Sequence, residues 1–305
     1  MLKTPLGLAA CLTLSATLCA AQTRPAPALS PKWEDLTSAE FVKAIQKADG
    51  VCMLPMGSVE SFGPSAPLGT NVYLVRIIAQ EAAKQEYAVI FPDYFVANTT
   101  NTSHLAGAIR YSLDMQLKFL EETADEMARN GCRKIILANG HTSNQPLIQL
   151  YMGNFAATAH DYAVYTNYIS GFPVGDPNQL PPAARVSKPG MDGHGGEERV
   201  AAIMAYYPEL IHLERAHDEA FEPGHGAEDR TNPPPAGAMR EIPTGYSGDA
   251  SGATAARGHA LVDFQVGKVV KFIQSVKADK TTLSVQKEFY RRSQAPSPPP
   301  AAARK

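Results

Sequence analysis

Residues 54–71 (LPMGSVESFGPSAPLGTN) constrain the fold more than any other stretch of the sequence. The apolar residues 51–54 lead directly into a run rich in glycine and proline, which is typical of a buried strand followed by a long, ordered loop. Buried parallel strands are apolar on both faces, and α/β proteins bind ligands in the loops at the carboxyl ends of such strands. This loop holds Glu60 among small and apolar residues, where a carboxylate is costly without a partner. The stretch therefore predicts an α/β fold with a candidate site around Glu60.

A second strand with a polar loop follows the most clearly predicted helix. Residues 113–130 carry apolar side chains at helical spacing and stop before Gly131, and residues 134–138 (KIILA) then read as a short strand. Asn139, Gly140 and His141 come off the carboxyl end of that strand. Because parallel strands deliver their following loops to one edge of a sheet, Glu60 and His141 are expected to lie close together.

The other periodic segments complete an alternation of helices and strands, which favours a parallel sheet. Helices are predicted over residues 33–49 (with Ser38 as a possible cap), 72–85, 199–207 and 255–277, a strand over 87–92, and an extended segment over 163–169. Residues 192–198 (DGHGGEE) open the helix at 199. His194 and Glu197 in this run could handle protons, although a carboxylate at a helix N-terminus is also a favourable interaction with the helix dipole.

The first 21 residues resemble a secretory signal peptide. Lys3 is followed by an apolar run that ends in small residues before Gln22. Residues 8–11 (LAAC) also resemble a lipoprotein cleavage box, so lipid attachment at Cys11 is the alternative. We expect an exported protein, periplasmic or secreted. Cys52 and Cys132 remain after cleavage and are interpreted as separate buried thiols, so the protein is not expected to depend on disulfides.

Composition excludes several classes of partner. With 305 residues, 44% hydrophobic and 19% charged, the chain can bury a sizeable core. A formal net charge of -2 gives no reason to expect nucleic acid or an anionic membrane as a partner. No apolar run after residue 21 approaches the roughly 20 residues of a membrane span.

Five blocks of sequence, in order between about residues 51 and 275, resemble the creatininase (creatinine amidohydrolase) family. They are residues 54–71, LAGAIRYSLD, RKIILANGHTSNQ, HGGEERVAAIMAYYPELIHLER and PTGYSGDASGATAARGHALVD. The resemblance implies a three-layer α/β/α sandwich on a mainly parallel sheet. It also implies a metal-dependent amidohydrolase with two adjacent Zn²⁺ or Mn²⁺ ions, and a ring-shaped homo-oligomer.

Several positions depart from the family pattern. Glu60 and His141 match metal ligands of the family, and His194 and Glu197 match its later His-x-Gly-Glu motif. The family's metal-binding His is Phe62 here, and its bridging Asp is Asn71. Ser143 stands where some members carry a carboxylate, and Arg199 where a Glu is common.

These departures favour one metal ion over two. A zinc site uses imidazole, thiolate or carboxylate donors, typically three with an open position for water. Phe62 cannot bind a metal, and the neutral amide of Asn71 is a poor replacement for a bridging carboxylate. We therefore expect at most one divalent ion, Zn²⁺ or Mn²⁺, held by Glu60, His141 and a weaker Asn71.

Two functions from different classes follow. The first is metal-assisted hydrolysis of a C–N (amide) bond in a small molecule, with His194 carrying protons and Glu197 as a ligand or base. The second is a non-catalytic exported binding or scaffolding protein that keeps the fold with a degraded metal site, because fold does not imply function.

The sequence divides into four predicted segments. A signal peptide (1–21) and a linker without periodicity (22–31) precede one creatininase-like domain (32–278). Residues 279–305 form a C-terminal extension that is rich in Pro and Ala and is expected to be disordered from about residue 293.

Overall fold

The apolar stretches form one parallel sheet in the computed structural model, which describes residues 28–169, 180–218 and 242–296. Its four strands are β1 (Val51–Met56), β2 (Val89–Ile90), β3 (Lys134–Asn139) and β4 (Ala163–Tyr168). Their order across the sheet is β2-β1-β3-β4, and each neighbouring pair runs in parallel. The parallel sheet predicted from the sequence is confirmed, although β2 is shorter than the strand predicted over residues 87–92.

Seven α-helices occur in the described part of the chain. They are α1 (Ser38–Lys47), α2 (Thr70–Gln85), α3 (Leu113–Arg129), α4 (Gln145–Ala156), α5 (Glu197–Tyr206), α6 (Ala255–Ala278) and α7 (Thr282–Gln294). The helices predicted over 72–85, 113–130, 199–207 and 255–277 correspond to α2, α3, α5 and α6, because their apolar residues recur at helical spacing.

The helices cover both faces of the sheet. Helices α1, α3 and α4 bury their apolar side chains against one face, which includes Cys52, Leu54 and Met56 of β1. Helices α2, α5 and α6 pack on the other face, which includes Val51 and Met53. Successive residues of β1 therefore enter two separate cores, as the alternation of side chains along a strand requires. The three-layer sandwich implied by the resemblance is confirmed.

The register of β1 and β3 places their carboxyl ends side by side. Met53 lies opposite Ile136, and Met56, the last residue of β1, lies opposite Asn139, the last residue of β3. The loops that follow the two strands therefore start at the same level of one sheet edge.

The first predicted helix begins later than expected. Trp33–Asp35 is a separate 3₁₀ turn, and α1 starts at Ser38 with Thr37, not Ser38, as its cap. The Thr37 hydroxyl accepts a hydrogen bond from the Glu40 backbone N–H, and the Glu40 carboxylate accepts one from the Thr37 backbone N–H. This reciprocal capping box satisfies two backbone donors that would otherwise lack partners and fixes where the helix begins.

Two helices were not predicted. Helix α4 follows the His141 loop with Pro146 in its first turn, a position that proline favours because the missing N–H needs no partner there. Helix α7 lies within the extension predicted over residues 279–305, and it contacts β4, the edge strand of the sheet. The tail from residue 297, the signal peptide and most of the predicted linker lie outside the described residues.

The prediction that Cys52 and Cys132 are separate thiols is wrong. The two residues form a buried disulfide with their Cα atoms 5.7 Å apart. Cys52 lies in β1 and Cys132 lies just before β3, so the parallel pairing of these strands brings the cysteines within the normal disulfide range. Their separation of 80 residues in sequence concealed this proximity.

Among the described residues, no helix combines the length and the apolar character that crossing a bilayer requires.

Removing the disulfide is expected to destabilise the protein substantially. For a closed loop of 80 residues, the chain-entropy estimate of the stabilisation is about 4 kcal/mol. The double variant Cys52→Ala/Cys132→Ala should therefore unfold at lower denaturant concentration, with the free energy of unfolding reduced by about 2–4 kcal/mol. A reductant should destabilise the wild type and leave the variant unchanged. Equal stability of wild type and variant under oxidising conditions would contradict the disulfide.

Candidate active site

The loops after β1 and β3 meet at Gly140. Its backbone N–H donates to the Met56 carbonyl at 2.7 Å, which extends the strand pairing beyond the ends of β1 and β3. A Cβ atom added to Gly140 would lie 2.7 Å from the Val75 Cβ and 2.9 Å from the Met56 oxygen. The Asn-Gly-His sequence thus lets the backbone pass close to α2 and places His141 beside the Glu60 loop.

Glu60 is buried, and both its carboxylate oxygens have partners within the protein. Oε1 accepts from the Ser58 hydroxyl at 2.8 Å and lies 3.1 Å from Nδ1 of His141. Oε2 accepts from the Thr102 hydroxyl at 2.8 Å. Burial alone would raise the pKa of Glu60, but the charge and hydrogen bond of His141 outweigh it and hold that pKa well below its usual value.

His141 faces an acceptor on each side of its ring. Nδ1 faces the Glu60 carboxylate, and Nε2 lies 2.9 Å from the Asn98 carbonyl oxygen. Burial lowers the pKa of His141, but the negative charge of Glu60 outweighs it and the pKa is raised. In the ion-free arrangement, His141 is therefore an imidazolium that donates from both nitrogens and forms a buried ion pair with Glu60.

Asn71, at the start of α2, completes the cluster. Its Nδ2 donates to the Ser58 hydroxyl at 2.7 Å and lies 3.3 Å from Oε1 of Glu60 and 3.2 Å from Nδ1 of His141. Its Oδ1 is buried and has no hydrogen-bond partner among the described residues. A half turn of the amide would exchange these two atoms and bring an acceptor oxygen to the centre of the cluster, where it could accept from Nδ1–H of His141 or bind a cation.

The geometry of this cluster fits one small cation. The side-chain atoms of Ser58, Glu60, Asn71 and His141 lie 2.7–3.3 Å from one another in all six combinations. Ligands of a four-coordinate zinc ion lie about 3.3 Å apart, because each is about 2.0–2.1 Å from the metal. A slight expansion of the cluster would therefore accommodate one divalent ion, with Glu60 and His141 as its strong donors.

Two positions near the cluster carry no strong metal donor. Phe62 is buried where the family pattern has an imidazole ligand, and Ser143, in the turn after His141, offers only a hydroxyl. Within residues 28–169, 180–218 and 242–296, no three His, Cys, Asp or Glu side chains converge in a way that could hold a metal. Within the described residues, Glu60 and His141 are therefore the strong metal donors of this cluster.

His194 lies against the Glu60 loop. Its Nε2 lies 2.7 Å from the Ser61 carbonyl oxygen, so Nε2 carries the proton and donates it. Burial is the largest cause that lowers the pKa of His194, and the positive charges of Arg199 and His141 lower it further. His194 is therefore neutral near neutral pH, which leaves Nδ1 as a proton acceptor.

Glu197 is not brought into the cluster. It begins α5, and its Oε2 accepts from the backbone N–H of Ser187 at 2.8 Å and from the Ser187 hydroxyl at 2.6 Å. Its Oε1 forms a buried ion pair with Arg257, in the first turn of α6. These contacts tie α5 to α6 and to the segment around Ser187, and the role of Glu197 as a ligand or base stays a prediction.

Sequence reasoning missed several groups that hold the site. They are the Ser58 and Thr102 hydroxyls on Glu60, the Asn98 carbonyl on His141, and Ser247, which exchanges hydrogen bonds with the backbone of His194. Only Ser58 is close in sequence to a predicted site residue. The others come from distant loops, and no local pattern marks them as partners.

Comparison with known proteins identifies a family and two similar proteins. The family model described as "Creatininase: Creatinine amidohydrolase" matches residues 34–273. A creatinine amidohydrolase from Pseudomonas putida is 27% identical over 198 residues, which cover 60% of this chain and 75% of that protein. A 3-dehydro-scyllo-inosose hydrolase from Thermotoga maritima is 24% identical over 187 residues, covering 61% of this chain and 59% of that protein.

Solved structures share the fold. A crystal structure of creatinine amidohydrolase superposes with a TM-score of 0.69 at 23% identity and covers 83% of this chain and 100% of its own. A second, described as "Creatininase Mn", gives a TM-score of 0.66 at 23% identity and covers 81% and 98%.

The Glu60–His141 ion pair predicts a window of pH in the stability of the metal-free protein. The lowered pKa of Glu60 stabilises the fold above its unfolded value of 4.5, and this contribution is lost as the pH falls. The raised pKa of His141 stabilises the fold below its unfolded value of 6.5, and this contribution is lost as the pH rises through the folded pKa. The contribution of the pair is therefore largest between pH 4.5 and 6.5.

Denaturant unfolding of the wild type and of His141→Gln, both in chelator, checks this window. We expect the variant to be less stable by about 3 kcal/mol inside the window and by less on either side of it, because it leaves Glu60 buried without its cation. A difference that does not change with pH would show that the two groups are not an ion pair.

Proposed function

The chain belongs to the creatininase family, and from that premise we propose that it hydrolyses a C–N (amide) bond in a small molecule with the help of one divalent ion. The observation that carries this proposal is the convergence of Glu60, Asn71 and His141 at the carboxyl ends of β1 and β3. His194 lies against the same loop. Ligand-binding sites of α/β folds occur at this edge of the sheet.

Glu60 and His141 would hold the ion, with Asn71 through its side-chain oxygen and with Ser58 as a fourth neighbour. When bound, a divalent ion supplies polarisation of a carbonyl group and lowers the pKa of a water molecule. His141 must give up its Nδ1 proton for this role, because only the neutral ring can ligate through that nitrogen. The contact of Nε2 with the Asn98 carbonyl then fixes the tautomer that leaves Nδ1 available.

His194 is the proposed proton carrier. Its Nε2–H is committed to the Ser61 carbonyl, so Nδ1 is the atom that accepts a proton from the attacking water. The imidazolium then returns that proton to the departing nitrogen of the amide. Arg199 makes this return easier, because its positive charge, added to the larger effect of burial, lowers the pKa of His194.

A non-catalytic binding protein is the second candidate. The observation that favours it is that Glu60 and His141 pair with each other and bond to Ser58, Thr102 and Asn98. A site of this kind can persist as a polar, rigid pocket floor after the metal has been lost. The measurements below separate the two candidates.

We also propose that the protein is exported. The signal-like residues 1–21 support this, and so does the disulfide between Cys52 and Cys132, because disulfides persist in oxidising compartments and are rare in the cytosol. N-terminal sequencing of protein from the cell envelope tests the proposal. A chain that starts at Ala21 or Gln22 supports it, whereas an intact Met1 overturns it.

Metal content distinguishes the two functions. We expect the wild type to bind at most one Zn²⁺ or Mn²⁺ per chain, because Phe62 and Asn71 remove an imidazole and a charged bridge. The double variant Phe62→His/Asn71→Asp restores both donors and should bind two ions or bind one far more tightly, since even losses among groups behind the ligands cost about 10–100-fold in affinity. Metal analysis after dialysis measures this, with a melting curve to control for folding. Two ions in the wild type would contradict the donor assignment.

Hydrolysis of a panel of linear and cyclic amides tests the reaction itself. We expect His194→Asn to reduce kcat by about 10²–10⁴-fold, because it removes the proton acceptor. Arg257→Lys serves as the matched control, because it keeps a positive charge beside Glu197 and lies away from the Glu60 cluster. It should keep most of the activity. A wild type that binds no ion and hydrolyses none of the amides would favour the binding protein.

A further inference from the structure

Phe62 packs face to face on His194. The two ring centroids are 4.5 Å apart, and the ring planes differ by 9°. Phe62 is 2% exposed, so the contact is shielded from water. This phenyl ring occupies the position at which the family pattern has a metal-binding imidazole. The substitution therefore removes a ligand and at the same time adds a flat surface under the proposed proton carrier.

His194 is held by contacts with three residues. Its Nε2 donates to the Ser61 carbonyl at 2.7 Å, and its ring lies on Phe62. Its backbone N–H donates to the Ser247 hydroxyl at 2.9 Å, and its carbonyl accepts from the Ser247 N–H at 2.9 Å. The backbone contacts fix the loop, but they leave the ring free to turn about its side-chain bonds. Among the described residues, Ser61 and Phe62 make the hydrogen bond and the stacking contact that involve the ring itself.

The backbone conformation at Gly195 allows the His194 loop to lie close to Phe62. Gly195 has φ = +75°, a conformation that side chains disfavour. A Cβ atom at this position would lie 2.4 Å from the Phe62 carbonyl oxygen. Glycine at position 195 is therefore what allows the His194 loop to approach Phe62 closely enough for the rings to stack.

We infer that Phe62 is a positioning residue for His194. It holds the imidazole in the plane in which Nε2–H reaches Ser61, so that Nδ1 is kept as the acceptor; no described residue hydrogen-bonds to Nδ1. A neutral imidazole stacks on a phenyl ring without the cost of desolvating a charge, which suits a proton acceptor in its resting state. At position 62 the family pattern has a ligand for a second ion, whereas this chain has a phenyl ring that supports the proposed base, His194.

The role of His194 as proton acceptor rests on the proposed function, whereas the orientation of its imidazole on Phe62 does not. Nuclear magnetic resonance of the full mature chain, labelled with ¹⁵N-histidine and freed of metal, reports the ring directly. Comparison with His194→Gln assigns its signals. We expect a slowly exchanging Nε2–H proton for His194 in the wild type, because that proton is bonded to Ser61 and covered.

Two variants separate ring stacking from simple space filling. In Phe62→Leu, the Nε2–H of His194 should exchange with water about tenfold faster, as expected for losing one aromatic contact. In Phe62→Tyr, which keeps the ring, the rate should stay near that of the wild type. The variant Phe155→Leu is the matched control, because Phe155 stacks on His160 at 3.9 Å and lies away from the site. It should leave His194 unchanged.

The outcomes are distinct. Exchange at His194 that is the same in Phe62→Leu as in the wild type would overturn the inference and leave Phe62 as core packing. A wild type in which the His194 Nε2–H exchanges as fast as an exposed ring would overturn it as well. If Phe62→Leu does not fold, Phe62→Met takes its place, because methionine also lacks a ring and its flexible side chain fills irregular gaps. Retained positioning in a protein that hydrolyses no amide would refute the proposed function alone.

Discussion

The parallel pairing of β1 with β3 is the interaction on which the candidate site depends. Its register sets Met56 opposite Asn139, and the Gly140 N–H continues the ladder by donating to the Met56 carbonyl. This alignment brings Glu60 and His141, from loops about 80 residues apart, to a separation of 3.1 Å. A slip of one residue would turn every side chain of a strand to the other face and separate the pair. The Cys52–Cys132 disulfide secures the same two strands near their amino ends.

Much of the fold could be predicted because its signals are local. The apolar run of β1 followed by glycine and proline, and the helical spacing of α3 followed by Gly131, each mark an element and its end. The polar residues directly after the strands marked Glu60 and His141 for the same reason. Parallel strands deliver their loops to one edge, so two local patterns were sufficient to predict one shared site.

The remaining features depend on contacts between distant segments. Nothing in the sequence around Cys52 indicates Cys132, and nothing around Glu197 indicates that Arg257 will neutralise its carboxylate. A carboxylate at the start of a helix is compatible with a catalytic base and with an ion pair, and only the tertiary structure distinguishes the two. Thr102 and Asn98 complete the site in the same way, from a loop whose polar composition is ordinary for a surface segment.

Three of the departures from the family pattern make the site less negatively charged. Asn71, Ser143 and Arg199 stand where carboxylates are expected, and Arg199 adds a positive charge that acts on both histidines. Glu60 is then the one anion of the four-residue cluster, and in the ion-free state the His141 imidazolium already neutralises it. A divalent ion at the proposed site would therefore compete with the His141 proton, because ligation requires the neutral ring. In the proposed one-ion site, the Glu60–His141 pair would thus stabilise the metal-free protein between pH 4.5 and 6.5 at the expense of ion binding.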